Sequence, residues 1–164
     1  MKFSILSTVV PAMLALATGA LAVSNRVRMY TLSTNTVYNN LDLGSQIESE
    51  GLAYMFLGNH GGQFLYHDVL NSTYHSDVQF GDVYYLNIKD NILIYTTDTT
   101  DVGHFGSADT LLYDLDGLHW YACTDQNDPA GYNAGQYLVK YYAAAATVPS
   151  TCTAIVLNVI AVST

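Results

Sequence analysis

The sequence predicts an all-β fold, a compact β-sandwich or irregular β-barrel with one disulfide. Three observations predict it. Short apolar and β-branched runs alternate with clusters of Gly, Asn, Asp and Pro, which is the punctuation of strands and turns. Tyrosine is abundant, at 14 residues, and with threonine it supplies strand formers. Only 12% of the residues are charged, too few Lys and Glu to clothe helix surfaces, so hydroxyls and amides must make the polar surface.

The first element is not part of the fold. Met1-Lys2 precedes an apolar run from about Ile5 to Leu16 and then Ala20-Leu21-Ala22. A basic start, a short apolar run and a small-x-small site predict a secretory signal peptide over residues 1–22, and the run is too short to span a bilayer. A single β domain is expected over 23–164, a length suited to one core. Without Lys2 its basic residues are Arg26, Arg28, Lys89 and Lys140, against 14 acidic ones. That balance excludes nucleic acid as a partner, because phosphate binding needs a basic face. It disfavours an anionic membrane surface in the same way.

Strands are then expected near 27–32, 52–57, 63–67, 82–88, 92–96, 110–113, 118–123, 136–142 and 153–162. Breaks are expected at 58–62, 89–91, 98–106, 116–117 and 127–131. Asp116-Gly117 is the sharpest hairpin signal, since a two-residue type I′ turn needs positive φ at both positions; Lys89-Asp90-Asn91 is a second candidate. The Tyr137, Val139, Tyr141 alternation favours a strand over a helical turn around the following alanines. The run from Thr153 to Val162 is almost wholly apolar, as in a strand covered on both faces. A glycolipid-anchor signal is the rival there, but the tail is short, broken by Asn158 and rich in β-branched residues.

The two cysteines, Cys123 and Cys152, are expected to pair, because an exported chain meets an oxidising compartment and an even count leaves none over. The bond would tie the final strand to the strand carrying Trp120. A thiol site using His119 and Cys123 is disfavoured, since residues four apart in a strand lie about 13 Å apart. The histidines His60, His67, His75, His104 and His119 show no zinc spacing, so no metal is expected. Asp98 to Asp101 lacks the ligand pattern of a calcium loop. No nucleophile elbow, P-loop or dinucleotide fingerprint occurs, and no cofactor is expected. Asn71-Ser72-Thr73 is a glycosylation acceptor in a turn-like setting.

Leu111-Leu112-Tyr113, then Trp120-Tyr121-Ala122-Cys123, then Tyr137-Leu138-Val139-Lys140-Tyr141, and finally Cys152 opening Thr153 to Ile160 form an ordered set. It resembles the end of small secreted fungal cell-wall proteins of the PhiA type and the C-terminal domain of yeast Pir cell-wall proteins. The resemblance covers roughly residues 107–162 and implies that Cys123 and Cys152 are disulfide partners. The glutamine-bearing repeats through which Pir proteins attach to glucan do not occur in this sequence, nor does the Lys-Arg processing site.

What this implies is a non-enzymatic structural or adhesive protein, secreted to the cell wall, whose partners are wall polysaccharide (glucan or chitin) or other wall proteins. A tyrosine-rich, charge-poor surface suits sugar, because aromatic faces stack on pyranose rings while hydroxyls and amides satisfy sugar hydroxyls. Tyr84, Tyr85, Tyr132, Tyr141 and Tyr142 are the candidate contacts. A secreted effector or antigen that binds a host protein through tyrosine anchors is the alternative. A polysaccharide hydrolase is a third, and it would need two carboxylates in one cleft.

Overall fold

A computed structural model describes residues 24–59, 62–76, 82–100, 102–108, 111–114, 119–124 and 135–162. The expected leader, His60, the Asp116-Gly117 turn, the break at 127–131 and Tyr132 lie outside the described residues. The strands are β1 (Ser24–Leu32), β2 (Asp42–Ser49), β3 (Leu52–Gly58), β4 (Phe64–Asp68), β5 (Thr73–His75) and β6 (Tyr85–Lys89). They continue as β7 (Ile92–Thr96), β8 (Phe105–Ala108), β9 (Leu111–Asp114), β10 (Trp120–Cys123), β11 (Tyr137–Tyr141) and β12 (Cys152–Ala161). One 3-10 turn, Thr36–Tyr38, is capped by the Asn35 side chain.

All the strands join one antiparallel sheet, and the sheet closes on itself, so the barrel alternative is the one realised. Closure works because β1 and β3 each take two partners in succession along one edge. The first half of β1 pairs with β4 and Tyr30 then meets Asp42 of β2, while the other edge lies along β12. The first half of β3 pairs with β7 and its second half with β11, while its other edge runs along β2. Two linked circuits result, one through β4 to β7 and one through β10 to β12, sharing β1, β2 and β3. Both turn the same residues inward, so one core cluster serves both; it includes Val27, Met29, Leu43, Met55, Leu57, Leu65, Tyr74, Leu86, Tyr95, Trp120 and Leu157.

Turn chemistry fixes the registers. Lys89 pairs with Ile92, leaving Asp90 and Asn91 at φ 52° and 63°, the type I′ geometry expected of this tripeptide. Between β2 and β3, Gly51 has φ 73° and its carbonyl accepts from the Thr97 amide at 3.1 Å. A Cβ at Gly51 would sit 2.6 Å from Thr97 Oγ1, so both conformation and space demand glycine. At the fork where β1 leaves β4 for β2, Arg28 Nη2 donates to both carboxylate oxygens of Asp42 at 2.5 Å. Gly62 packs against that pair, with the position of a Cβ only 3.0 Å from Arg28 Nε.

The structure differs from the sequence reading in four places. Asp42–Ser49 is a strand although its Gly, Ser, Gln and Glu residues are poor strand formers, because β3 offers it a partner along its whole length. Thr73–His75 is a strand too short to show periodicity. The break expected over 98–106 ends early, since β8 begins at Phe105, whose ring is buried against Tyr74 and Trp120. β12 is covered on both faces only in its middle: Leu157, Asn158 and Val159 are buried, whereas Ala154, Ile160 and Ala161 are exposed.

Cys123 and Cys152 stand directly opposite in the β10–β12 register, with Cα atoms 4.0 Å apart, and form a disulfide. The register places them, with Leu138 and Phe56, on the face opposite the Trp120 side of the sheet. The staple therefore leaves the main core cluster undisturbed and sits in a separate buried patch with Leu138 and Phe56. Replacing both cysteines by alanine is expected to cost about 3 kcal/mol, on the order expected for a loop of this length. Urea unfolding should show this as a lower midpoint with a somewhat steeper slope, because the unfolded chain without the cross-link is less compact; an unmoved midpoint would make the bond energetically idle.

Candidate functional site

Strand alternation sorts the aromatic side chains into two sets. Leu65, Tyr74, Tyr84, Leu86 and Tyr95 point inward, and their alternates on β4, β5 and β6 point out. Register then aligns the outward set. Arg26 pairs with Tyr66, Tyr66 with His75, His75 with Tyr85, Tyr85 with Thr96, and Thr96 with Leu52. A single row thus crosses β1, β4, β5, β6, β7 and β3.

Ring geometry gives the row its character. Tyr66 and His75 are stacked, with centroids 5.5 Å apart and planes 16° apart, and Tyr85 follows at 6.0 Å and 51°. Rings stacked against one another across strands stand upright on the sheet. Arg26 closes the first end, its guanidinium carbon 3.8 Å above the ring of Phe64, which is 40% exposed.

Beyond Tyr85 the row enters a groove of about 550 Å³. Leu52, Ile88 and Ile94 supply apolar lining, and Glu50, Asn87, Lys89, Thr96, Thr97 and Asp98 supply polar groups. Asp98 is held below the usual carboxylate range by hydrogen bonds from the Thr100 hydroxyl and amide, so it is anionic. Of the four basic residues after Lys2, Arg26, Arg28 and Lys89 lie on this outer face, and Lys140 stands in line with Lys89, opposite Ile92 between them. An acidic protein thus carries most of its cations on one surface.

The expected tyrosines do not gather in one place. Tyr85 belongs to the row. Tyr84, next to it, is only 7% exposed and packs in the core, so it is withdrawn as a ligand contact: alternation turns it inward with Leu86. Tyr141 also turns inward, edge-on to Trp120 at 5.6 Å. Tyr142 forms a separate pair with Tyr121, edge-on at 5.5 Å. Phe64, Tyr66 and His75 were not expected, because each looks like an ordinary strand residue until register sets them side by side. Period-two alternation on 64–66 and 84–86 was the available signal.

His67 faces the other way, stacked on buried Tyr74 with centroids 4.4 Å apart. Burial lowers its pKa below the ordinary 6.5, and the neighbouring Asp68 opposes that shift only in part. No cluster of three His, Cys, Asp or Glu side chains suited to a metal occurs among the described residues.

Over 140 residues the chain is 26% identical to the cell wall protein RHD3 of Candida albicans, a match covering 79% of this chain. The match spans 64% of that relative's length. No family model and no solved structure matches the chain.

Titration of His67 has a definite sign. As the pH falls below 6.5, the unfolded chain takes up the imidazole proton before the folded one does, so stability drops through that window toward the lowered folded value. Melting curves between about pH 5 and 7 should lose this acid-side decline in His67→Tyr, which keeps the ring stacked on Tyr74 and does not titrate there. An identical decline in the variant would assign it elsewhere.

Proposed function

We propose that this chain is a non-enzymatic fungal cell-wall protein, exported by its leader, that holds wall polysaccharide along the row from Phe64 to Tyr85 and in the groove beyond it. The coarser half of this reading is supported by the likeness to a protein named for the cell wall. The finer half rests on one observation: an outward aromatic row that leads without interruption into a groove with apolar and polar lining.

That combination matches the chemistry of a glycan chain. A pyranose has an apolar face, which Leu52 and the far side of the Tyr85 ring can receive, and a rim of hydroxyls, which Asn87, Thr96 and the carboxylates can satisfy. The upright rings of Tyr66 and His75 turn edges and polar atoms outward, so along the row hydrogen bonding would outweigh stacking. Linear glucan or chitin fits this better than a compact ligand, because the row crosses several strands.

The groove also brings two carboxylates together, Glu50 and Asp98, which is the arrangement a hydrolase would need. Asp98 is held anionic by its hydrogen bonds to Thr100, so the acid of such a pair would have to be Glu50. Binding is the reading we adopt, because the row of rings outside the groove is a contact surface that a carboxylate pair alone would not need.

Retention on insoluble β-glucan and on chitin tests the site. Tyr66→Ser and Tyr85→Ser should each weaken retention about tenfold, roughly the 1.4 kcal/mol of one anchoring ring. Tyr121→Ser, on the separate pair, should leave it unchanged. Equal retention of all three variants would remove the row from the binding surface, and release of reducing sugar by the wild-type protein would restore the enzyme reading.

A further inference from the structure

We infer that Asn71 carries an N-linked glycan that covers the tip of the β4–β5 hairpin. The inference rests on the export part of the proposed function and not on the polysaccharide row. Asp68 pairs with Thr73, so Val69, Leu70, Asn71 and Ser72 form the hairpin loop, and the acceptor sequence Asn71-Ser72-Thr73 straddles its descending side.

Three structural features single this acceptor out. The Asn71 side chain is at the surface, while the loop's backbone is held from the other side: Phe105 donates its amide to the Ser72 carbonyl at 2.8 Å, and His104 Nδ1 lies 2.9 Å from the Asn71 carbonyl. The carboxylate of Asp68 accepts from the amides of Leu70 and Asn71, and Asn71 Nδ2 donates to its other oxygen at 2.7 Å. Leu70, at 66%, is the most exposed large apolar side chain among the described residues, and Val69 is 51% exposed. A rigid loop thus presents an amide to solvent beside an apolar tip that no described residue covers.

The chemistry fits the hydrogen bonding. Nδ2 bonds to the anomeric carbon of an oligosaccharide carried on a polyprenyl diphosphate; the anomeric C–O bond breaks, the lipid diphosphate leaves, and Nδ2 loses one proton. One N–H remains, which is all that the bond to Asp68 uses. The glycan is therefore held by the same carboxylate that shapes the loop, and its first sugars lie over Val69 and Leu70.

The test is expression of the full chain in a fungal secretory host. Peptides from secreted protein should show residue 71 converted to Asp by the amidase that hydrolyses the amide bond between asparagine and its glycan, and Asn71→Gln and the isosteric Thr73→Val should each abolish the conversion. Unmodified Asn71 in secreted protein overturns the inference and leaves the wall reading standing. A chain that never leaves the cell overturns both. For the covering role, enzymatic removal of the glycan should raise binding of a hydrophobic dye several-fold, and Val69→Ser with Leu70→Ser should return it to the starting level. Equal dye binding before and after removal overturns that role.

Discussion

The last strand holds the first. β12 lies along β1 on one edge, while β10 and β9 meet the other, so it joins the β10–β11 part of the sheet to β1 on the side away from the β3–β2 connection. Because β1 is also the strand that forks to β4 and β2, its register with β12 is what joins the second circuit to the first. The disulfide acts at this point. It fixes the opening residue of β12 against β10, so β12 is already placed when β1 pairs with its second half. Loop closure between distant segments is the slow and costly part of forming such a sheet, and a covalent tie removes part of that cost.

Much of this was legible in the sequence, and the reasons are specific. Nine strands announced themselves by aromatic and β-branched runs, and Asp90-Asn91 by residues that tolerate positive φ. The cysteine pair followed from its even count. What could not be read were features that depend on a partner: β2 is a strand because β3 lies beside it, and the row exists because five registers happen to agree. Composition pointed to tyrosine as a surface material, but it could not separate Tyr84 from Tyr85, which lie one residue apart and on opposite faces. A single position of register slip would exchange them.

The outer face of β1 and β4 to β7 is unusual for so acidic a chain. Cations that would be expected to scatter are collected there, and each has company: Arg26 over Phe64, Arg28 against Asp42, Lys89 beside the Asp98 and Glu50 carboxylates. Such pairing leaves little net field, so the face is polar and aromatic without being strongly charged. That is a surface suited to neutral partners rich in hydroxyls, and poorly suited to polyanions.

Because Val27 lies opposite Ala161, the two ends of the folded domain emerge side by side at one pole of the barrel. Any extension of either end, whether an upstream leader or a downstream tail, leaves from that same pole. A short peptide could therefore join the ends, and the chain could be reopened at the Asp90-Asn91 turn without lengthening any strand contact. Topologically the domain is a ring that happens to be cut between its first and last strands.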